Sequence, residues 1–237
     1  LSFEMFQTFG FTDVKGYLAV RDPKNIDNYM GDSEIWDMAE KTIKEVVSDF
    51  NMPYEVEEGG AKFYGPALDI KVKDSIGREW QLTTIQLDFN LPEKFNMTYK
   101  GPEKDERPIM IHRALLGSLE RFFGVLIEHY GGAFPLWLAP SQIRILSVGE
   151  KHIDYCKKLK QEFLNKDIRA ELDINDETVS NKIRKAASEK VPYVLVVGDK
   201  EMDENIFAVR KRGENETNIF SPDDFYNLIL KEIKEKI

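Results

Sequence analysis

Arg107-Pro-Ile-Met-Ile-His-Arg-Ala-Leu-Leu-Gly-Ser-Leu-Glu-Arg121-Phe122 is the stretch on which the fold of this 237-residue chain turns. An extended, apolar run passes into a helical pattern, with two small residues, Gly117 and Ser118, set among large apolar ones. Small residues at such a passage let a flat ligand approach the backbone, because no bulky side chain fills the space. Arg121 lies in an otherwise apolar pattern whose only nearby acid is Glu120. A semi-buried guanidinium is costly unless paired, and a carboxylate of the protein or a bound phosphate would serve equally. His112 reads by itself as a structural histidine as readily as a metal ligand. His129, His152 and Cys156 stand at no metal-ligand spacing from it.

Working outward, Gly16–Arg21 has a strand pattern, and a helix is expected from Ser33, as N-cap, to Val47, with Trp36, Ala39, Ile43, Val46 and Val47 on its apolar face. Tyr54–Glu57, Ala67–Lys73 and Trp80–Phe89 alternate as strands do, and Asp74-Ser-Ile-Gly77 makes the last two an antiparallel hairpin. On Trp80–Phe89 a regular period of two puts Trp80, Leu82, Thr84, Gln86 and Asp88 on one face. An apolar-rich helix is expected from Ile111 to about His129, closed by Gly131-Gly132. The pattern then changes. Strands Gln142–Val148, Ile168–Ile174, Tyr193–Val197 and Ile206–Lys211 alternate with helices His152–Asn165 and Ser180–Lys190, and a last helix runs from Pro222 to Ile237 with Ser221 as cap. Alternation of this kind implies a mixed or parallel sheet covered by helices. Two domains are expected, residues 1–139 and 140–237, with Pro135 and Pro140 punctuating the boundary.

The composition, 42% hydrophobic and 32% charged, suits a globular protein, and no apolar run approaches the roughly 20 residues of a membrane span. The first residues carry no secretory signal, and a start without Met in mid-element reads as a cut end. The single cysteine, Cys156, cannot form an internal disulfide and fits a reducing cytosol, so a cytoplasmic protein is expected. A net charge of −9 excludes bulk phosphate-backbone binding by the whole chain. From Pro140 onward 18 Lys and Arg meet 19 Asp and Glu, so this part is nearly neutral and free to bind RNA through local clusters.

The stretch from Arg107 to Phe122 resembles motif 3 of the class II aminoacyl-tRNA synthetases, and its PxMIHRAxLGSxER form is similar to that of the threonyl-tRNA synthetases. Lys62-Phe-Tyr-Gly-Pro66 and Trp80-Gln-Leu-Thr-Thr-Ile-Gln-Leu-Asp-Phe89 resemble two further signatures of that family. The resemblance implies an α/β (α+β) chain: a partial class II antiparallel-sheet core, then a mixed-sheet anticodon-binding domain. It implies that Arg121 contacts the ATP γ-phosphate, that Tyr64 and Gln86 hold threonine or its adenylate, and that Gln81, Thr84 and Ser118 line the same pocket. Arg121 and Gln86 are the candidate catalytic residues. His112 is implied as one ligand of a catalytic zinc whose other two, a Cys and a His, come from upstream sequence. ATP would be used with Mg2+. The residues at Asn181-Lys-Ile-Arg184, Val191–Glu201 and Val209-Arg210 are similar to the anticodon-binding domain shared by several synthetases, which implies Lys182, Arg184, Glu201 and Arg210 near the anticodon of tRNA(Thr). Glu201 and Arg210 are expected at the ends of neighbouring strands, where an acceptor and a forked donor converge. Two departures stand out: Ala67 where the family has Lys after YGP, and the acidic Asn175-Asp-Glu-Thr178 where relatives are more basic.

The expected function is ATP-dependent activation of threonine and its transfer to tRNA(Thr), by a full-length protein that is a homodimer. This stretch lacks motifs 1 and 2 and is expected to be inactive alone. The competing readings are another synthetase of the subclass, such as prolyl-, and a non-catalytic RNA-binding relative. MIHRA and TIQLDF argue against the first; Arg121, Gln86 and His112 against the second, to which Ala67 is the one pointer.

Overall fold

The structure, a computed structural model, describes residues 1–214 and 216–237. They form two compact units, Leu1–His129 and Tyr130–Ile237. No helix among the described residues is long and apolar enough to cross a membrane.

The first unit runs α1 (Ser2–Thr8), β1 (Val14–Val20), α2 (Ser33–Asp49), β2 (Tyr54–Glu58), β3 (Ala67–Lys73), β4 (Glu79–Asp88), α3 (Asn90–Lys94), the short pair β5 (Tyr99–Lys100) and β6 (Asp105–Glu106), β7 (Met110–Ala114) and α4 (Leu119–Tyr130). Its main sheet has the order β2-β1-β3-β4-β7, antiparallel except for the β1–β2 edge. Trp36, Ala39, Ile43 and Val47 repeat at helical spacing on α2 and are buried. Leu18, Ile70, Val72 and Leu82 from the sheet, with Phe122, Val125 and Leu126 of α4, are buried too. The Asp74 carboxylate builds the β3–β4 turn, accepting from the amides of Ile76 and Arg78, from Arg78 Nε and from Trp80 Nε1.

Two expectations for this unit are corrected. The helix expected from Ile111 starts only at Leu119, because Met110–Ala114 pairs antiparallel with β4 as β7. Five residues with two isoleucyl-type neighbours satisfy either period, and only the partner strand decides. The shared face of Trp80, Leu82, Thr84, Gln86 and Asp88 is broken by a register shift: Thr83 pairs with Ile70, but Gln81 pairs with Lys71, so Leu82 is the extra residue. A bulge of this kind flips the strand beyond it. Gln81 thereby joins Thr84, Gln86 and Asp88, while Trp80 sits opposite Val72 on the other face.

The second unit holds β8 (Ile143–Ser147), α5 (Ile153–Leu164), β9 (Ala170–Asp173), α6 (Val179–Ser188), β10 (Tyr193–Val197), α7 (Asp199–Asp203), β11 (Phe207–Lys211), β12 (Asn218–Phe220) and α8 (Pro222–Glu235). The sheet order is β12-β11-β10-β8-β9, with β9, β8 and β10 parallel and β11 and β12 antiparallel. Alternate strand residues feed two cores. Ile143, Ile145, Leu195, Phe207 and Val209 pack with Phe163 of α5 and Phe225 and Ile229 of α8; Leu146 and Val194 pack with Ala186 of α6. Cys156 is inside the larger core, where burial pushes its thiol up to about 11, so it is inert near neutral pH. Ser221 caps α8, accepting from Asp224 N at 3.2 Å.

Candidate functional site

Gly65 fixes the first element of the site. An added Cβ there would stand 1.8 Å from Leu87 O, so only glycine lets the Phe63–Pro66 loop lie against β4. Leu87 N donates to Pro66 O and Phe89 N to Tyr64 O, which sets Tyr64 beside the strand. The Tyr64 hydroxyl donates to Gln86 Oε1 at 3.0 Å. Burial, with the negative charge of Asp88, raises this phenol above its ordinary value, so it stays a donor. Across the β4–β7 ladder Gln86 faces His112, whose ring stands edge-on to Tyr64 with centroids 6.5 Å apart. His112 Nε2 meets Asp88 Oδ2 at 2.8 Å. Burial opposes ionisation of Asp88, but the Leu91 amide, His112 and the Asn90 amide outweigh it and hold the carboxyl below the usual range. Asp88 was not a sequence candidate. Its place two residues beyond Gln86, on the face that carries His112, was the available signal.

A second cluster lies along the same face. Gln81 Nε2 donates to Thr84 Oγ1 at 2.8 Å, and that hydroxyl donates to Asp69 Oδ1 at 2.6 Å. Asp69, opposite Thr84 on β3, is another residue that sequence reasoning missed. Ala67, opposite Gln86, is buried and presents only a methyl group. Gly117, at φ +66°, brings the β7–α4 passage against Leu82 O, and Ser118 Oγ accepts from Arg121 N at 3.2 Å in the first turn of α4. Arg121 is exposed, not semi-buried as expected, because it sits in that first turn and reaches over the sheet. Its Nη1 donates to Gln81 O at 3.1 Å. It borders an open recess lined by Arg78, Trp80, Gly124, Val125 and Glu128. Tyr64, Gln86 and His112 thus gather at one end of β4, and Gln81, Thr84, Ser118 and Arg121 at the other. Five residues separate Gln81 from Gln86, roughly 15 Å of strand.

His112 supplies one imidazole already oriented by a carboxylate, which suits one corner of a zinc site. Among the described residues no group of three His, Cys, Asp or Glu could hold a metal ion. Zinc takes about four ligands, so this stretch cannot hold it unaided.

In the second unit Lys182 is not on the surface. Its side chain is 2% exposed, and Nζ donates to Ser147 O at 2.8 Å, Ser147 Oγ at 3.3 Å and Asp173 O at 3.3 Å, tying the ends of β8 and β9. Arg184, one turn-face away, is exposed; it donates to Asn181 Oδ1 and borders a recess with Glu177, Thr178 and Ser180. Glu201 lies on α7 rather than on a strand end, where it accepts from Gly198 N at 2.9 Å. Arg210 lies within β11 opposite Val194, three strand positions or roughly 10 Å from the end of β10 that leads to α7. It lines a recess with Ile183, Ala187, Val191 and Lys211.

Comparison with known proteins gives two family matches: the tRNA synthetase class II core domain (G, H, P, S and T) over residues 4–130, and the anticodon binding domain over residues 142–232. The threonine–tRNA ligase of Borreliella burgdorferi (strain ZS7) is 46% identical over 233 residues, covering 98% of this chain and 39% of the relative. That of Sulfurihydrogenibium sp. (strain YO3AOP1) is 43% identical over 237 residues, 100% of this chain and 36% of the relative. The chain therefore spans about two fifths of the curated relatives it matches. The crystal structure of the RNA binding domain of threonyl-tRNA synthetase from Cryptosporidium parvum Iowa II superposes with a TM-score of 0.88 at 31% identity, over 98% of this chain and 57% of that one. A putative threonyl-tRNA synthetase from Aeropyrum pernix gives 0.74 at 27% identity, over 99% and 59%.

Proposed function

Because the chain belongs to the class II tRNA synthetase core family and continues into an anticodon-binding domain, we propose that it is part of a threonine–tRNA ligase, with residues 1–139 closing the catalytic core and 140–237 reading the anticodon. The observation that carries this reading is the convergence of Tyr64, Gln86 and His112 on one face of β4 and β7, with Asp88 behind the histidine. Threonine would lie over Gln86, its carboxylate directed along β4 toward the end where Arg121 receives the phosphates of ATP held with Mg2+. Attack of that carboxylate on the α-phosphate needs little covalent help. The contribution of these residues is position and charge complementarity.

His112 would be one ligand of zinc, the others being supplied by residues outside this stretch. When bound, the metal acts as a Lewis acid toward the amino and hydroxyl groups of threonine. A site built to hold a hydroxyl rejects valine, which leaves polar groups unsatisfied, far better than an apolar pocket would. The tRNA partner, a homodimeric full-length protein and a cytoplasmic location complete the reading; the lone buried thiol of Cys156 is consistent with the last.

Amino-acid-dependent pyrophosphate exchange decides it. A polypeptide carrying this chain with the rest of a class II core should exchange with threonine, lose about 100-fold or more in kcat/KM on Arg121→Ala, and discriminate against valine. Exchange driven by proline, or by no amino acid at all, would remove the assignment. The 237-residue chain alone should show no exchange.

A further inference from the structure

Asp88 has all of its acceptor capacity facing donors. Its side chain is buried at the end of β4. Oδ1 accepts from the amides of Asn90 at 2.8 Å and Leu91 at 3.0 Å, where the backbone turns into α3. Oδ2 meets His112 Nε2 at 2.8 Å. An ionised carboxylate accepts and cannot donate, so the proton in this last contact belongs to the imidazole. In a neutral ring that leaves Nδ1 as the lone pair. The other polar groups beside the ring are already engaged, since the Tyr64 hydroxyl donates to Gln86 Oε1. His112 is half-exposed, and nothing in its own packing would select a tautomer.

We propose that Asp88 is a positioning residue, which holds neutral His112 as its Nε2–H tautomer and keeps the Nδ1 lone pair available to an electron-poor ligand. The identification of that ligand as zinc rests on the function proposed above; the tautomer does not. The arrangement is that of a metal-binding histidine anchored by a carboxylate, where the anchor fixes ring orientation and raises basicity. It also explains why an acid follows two residues after Gln86 on this face: moved by one residue along the strand, the carboxylate would point to the opposite face of the sheet.

The test is a long-range 1H–15N correlation spectrum of the chain labelled at its three histidines, recorded near pH 8, with His112 assigned through His112→Asn. The expected result is a single Nε2–H form whose proton exchanges slowly with water. In Asp88→Asn, that exchange should accelerate about tenfold, the kinetic equivalent of one lost hydrogen bond of about 1.4 kcal/mol, and Nδ1–H should become populated. A wild-type ring protonated on Nδ1 overturns the proposal without any variant being needed. So does an unchanged tautomer and exchange rate in both Asp88→Asn and Asp88→Ala.

The metal is tested separately, by zinc titration of a polypeptide that carries the complete catalytic core. There Asp88→Asn should weaken zinc binding about 10–100-fold. Zinc affinity indifferent to His112→Asn would end the metal reading while leaving the role of Asp88 on the tautomer intact.

Discussion

A methyl group on Gly65 would stand 1.8 Å from Leu87 O, a distance that neither backbone can relieve while Leu87 N stays bonded to Pro66 O. Gly65→Ala should therefore cost more than about 3 kcal/mol, in the range of severe overpacking, and should detach Tyr64 from Gln86. Gly124 is the control: it lies inside α4 with nothing within 4 Å of an added Cβ, so Gly124→Ala should gain about 0.5–1 kcal/mol. Urea unfolding of both variants checks the pair; a Gly65→Ala midpoint within 0.5 M of wild type, taking m near 2 kcal/mol per M, would contradict the packing argument. At this scale much of the site was legible. Gly65, Tyr64, Gln86 and His112 stand in contiguous signatures, and the structure brings the last three together. Asp69 and Asp88 were not legible, because an acid on a strand reads as solvated until its donor, from β4 or β7, is known. Arg121 was misjudged for a related reason: a helical pattern does not say that the residue falls in the first turn, hanging over a sheet edge.

The β3–β4 hairpin shows an element held by one side chain. Burial works against ionisation of Asp74, yet Trp80, Arg78 and two amides outweigh it and hold the carboxyl well below its ordinary value of 3.8. A depressed native pKa stabilises fully above the unfolded value and loses that contribution as pH falls through the native one. Between pH 7 and about 4 the wild type should accordingly be more stable than Asp74→Asn by a constant margin, which shrinks steadily below pH 4. Thermal midpoints of the two proteins across pH 2–7 measure this, and a margin that grows on acidification would reverse the assignment. The hairpin itself was readable from Asp74-Ser-Ile-Gly77, as were β3 and β10 to the residue. The bulge at Leu82 was not: it exists only as a mismatch between two strands, and a single strand carries no mark of it. The same limit hid β7, whose five residues fit a helix until β4 pairs with them. Short α7 was hidden because a five-residue helix depends on the Gly198–Glu201 cap more than on any period.

Across the whole molecule, acid is concentrated in the first part and the second is almost neutral, so any RNA binding must come from few cations in defined places. The two lysine and arginine candidates on α6 divide into different kinds of residue. Lys182 is buried and spends its ammonium on carbonyls at the ends of β8 and β9. Lys182→Met should lower unfolding stability by roughly 1–3 kcal/mol, the cost of leaving buried acceptors without a donor, and should leave the salt dependence of RNA binding untouched. Arg184 is exposed beside Asn181 and free to meet a phosphate or a base edge. Arg184→Ala should leave the unfolding midpoint unchanged, weaken binding of a tRNA(Thr) anticodon stem-loop, and flatten the slope of log K against log[salt] by about 0.7 if its partner is a single-strand phosphate. Fluorescence anisotropy titrations from 50 to 200 mM salt, run beside thermal melts of the same two variants, separate the roles. If Lys182→Met changes the slope while Arg184→Ala changes only the melt, the RNA lies on the other side of α6 and the anticodon assignment for this helix has to be withdrawn.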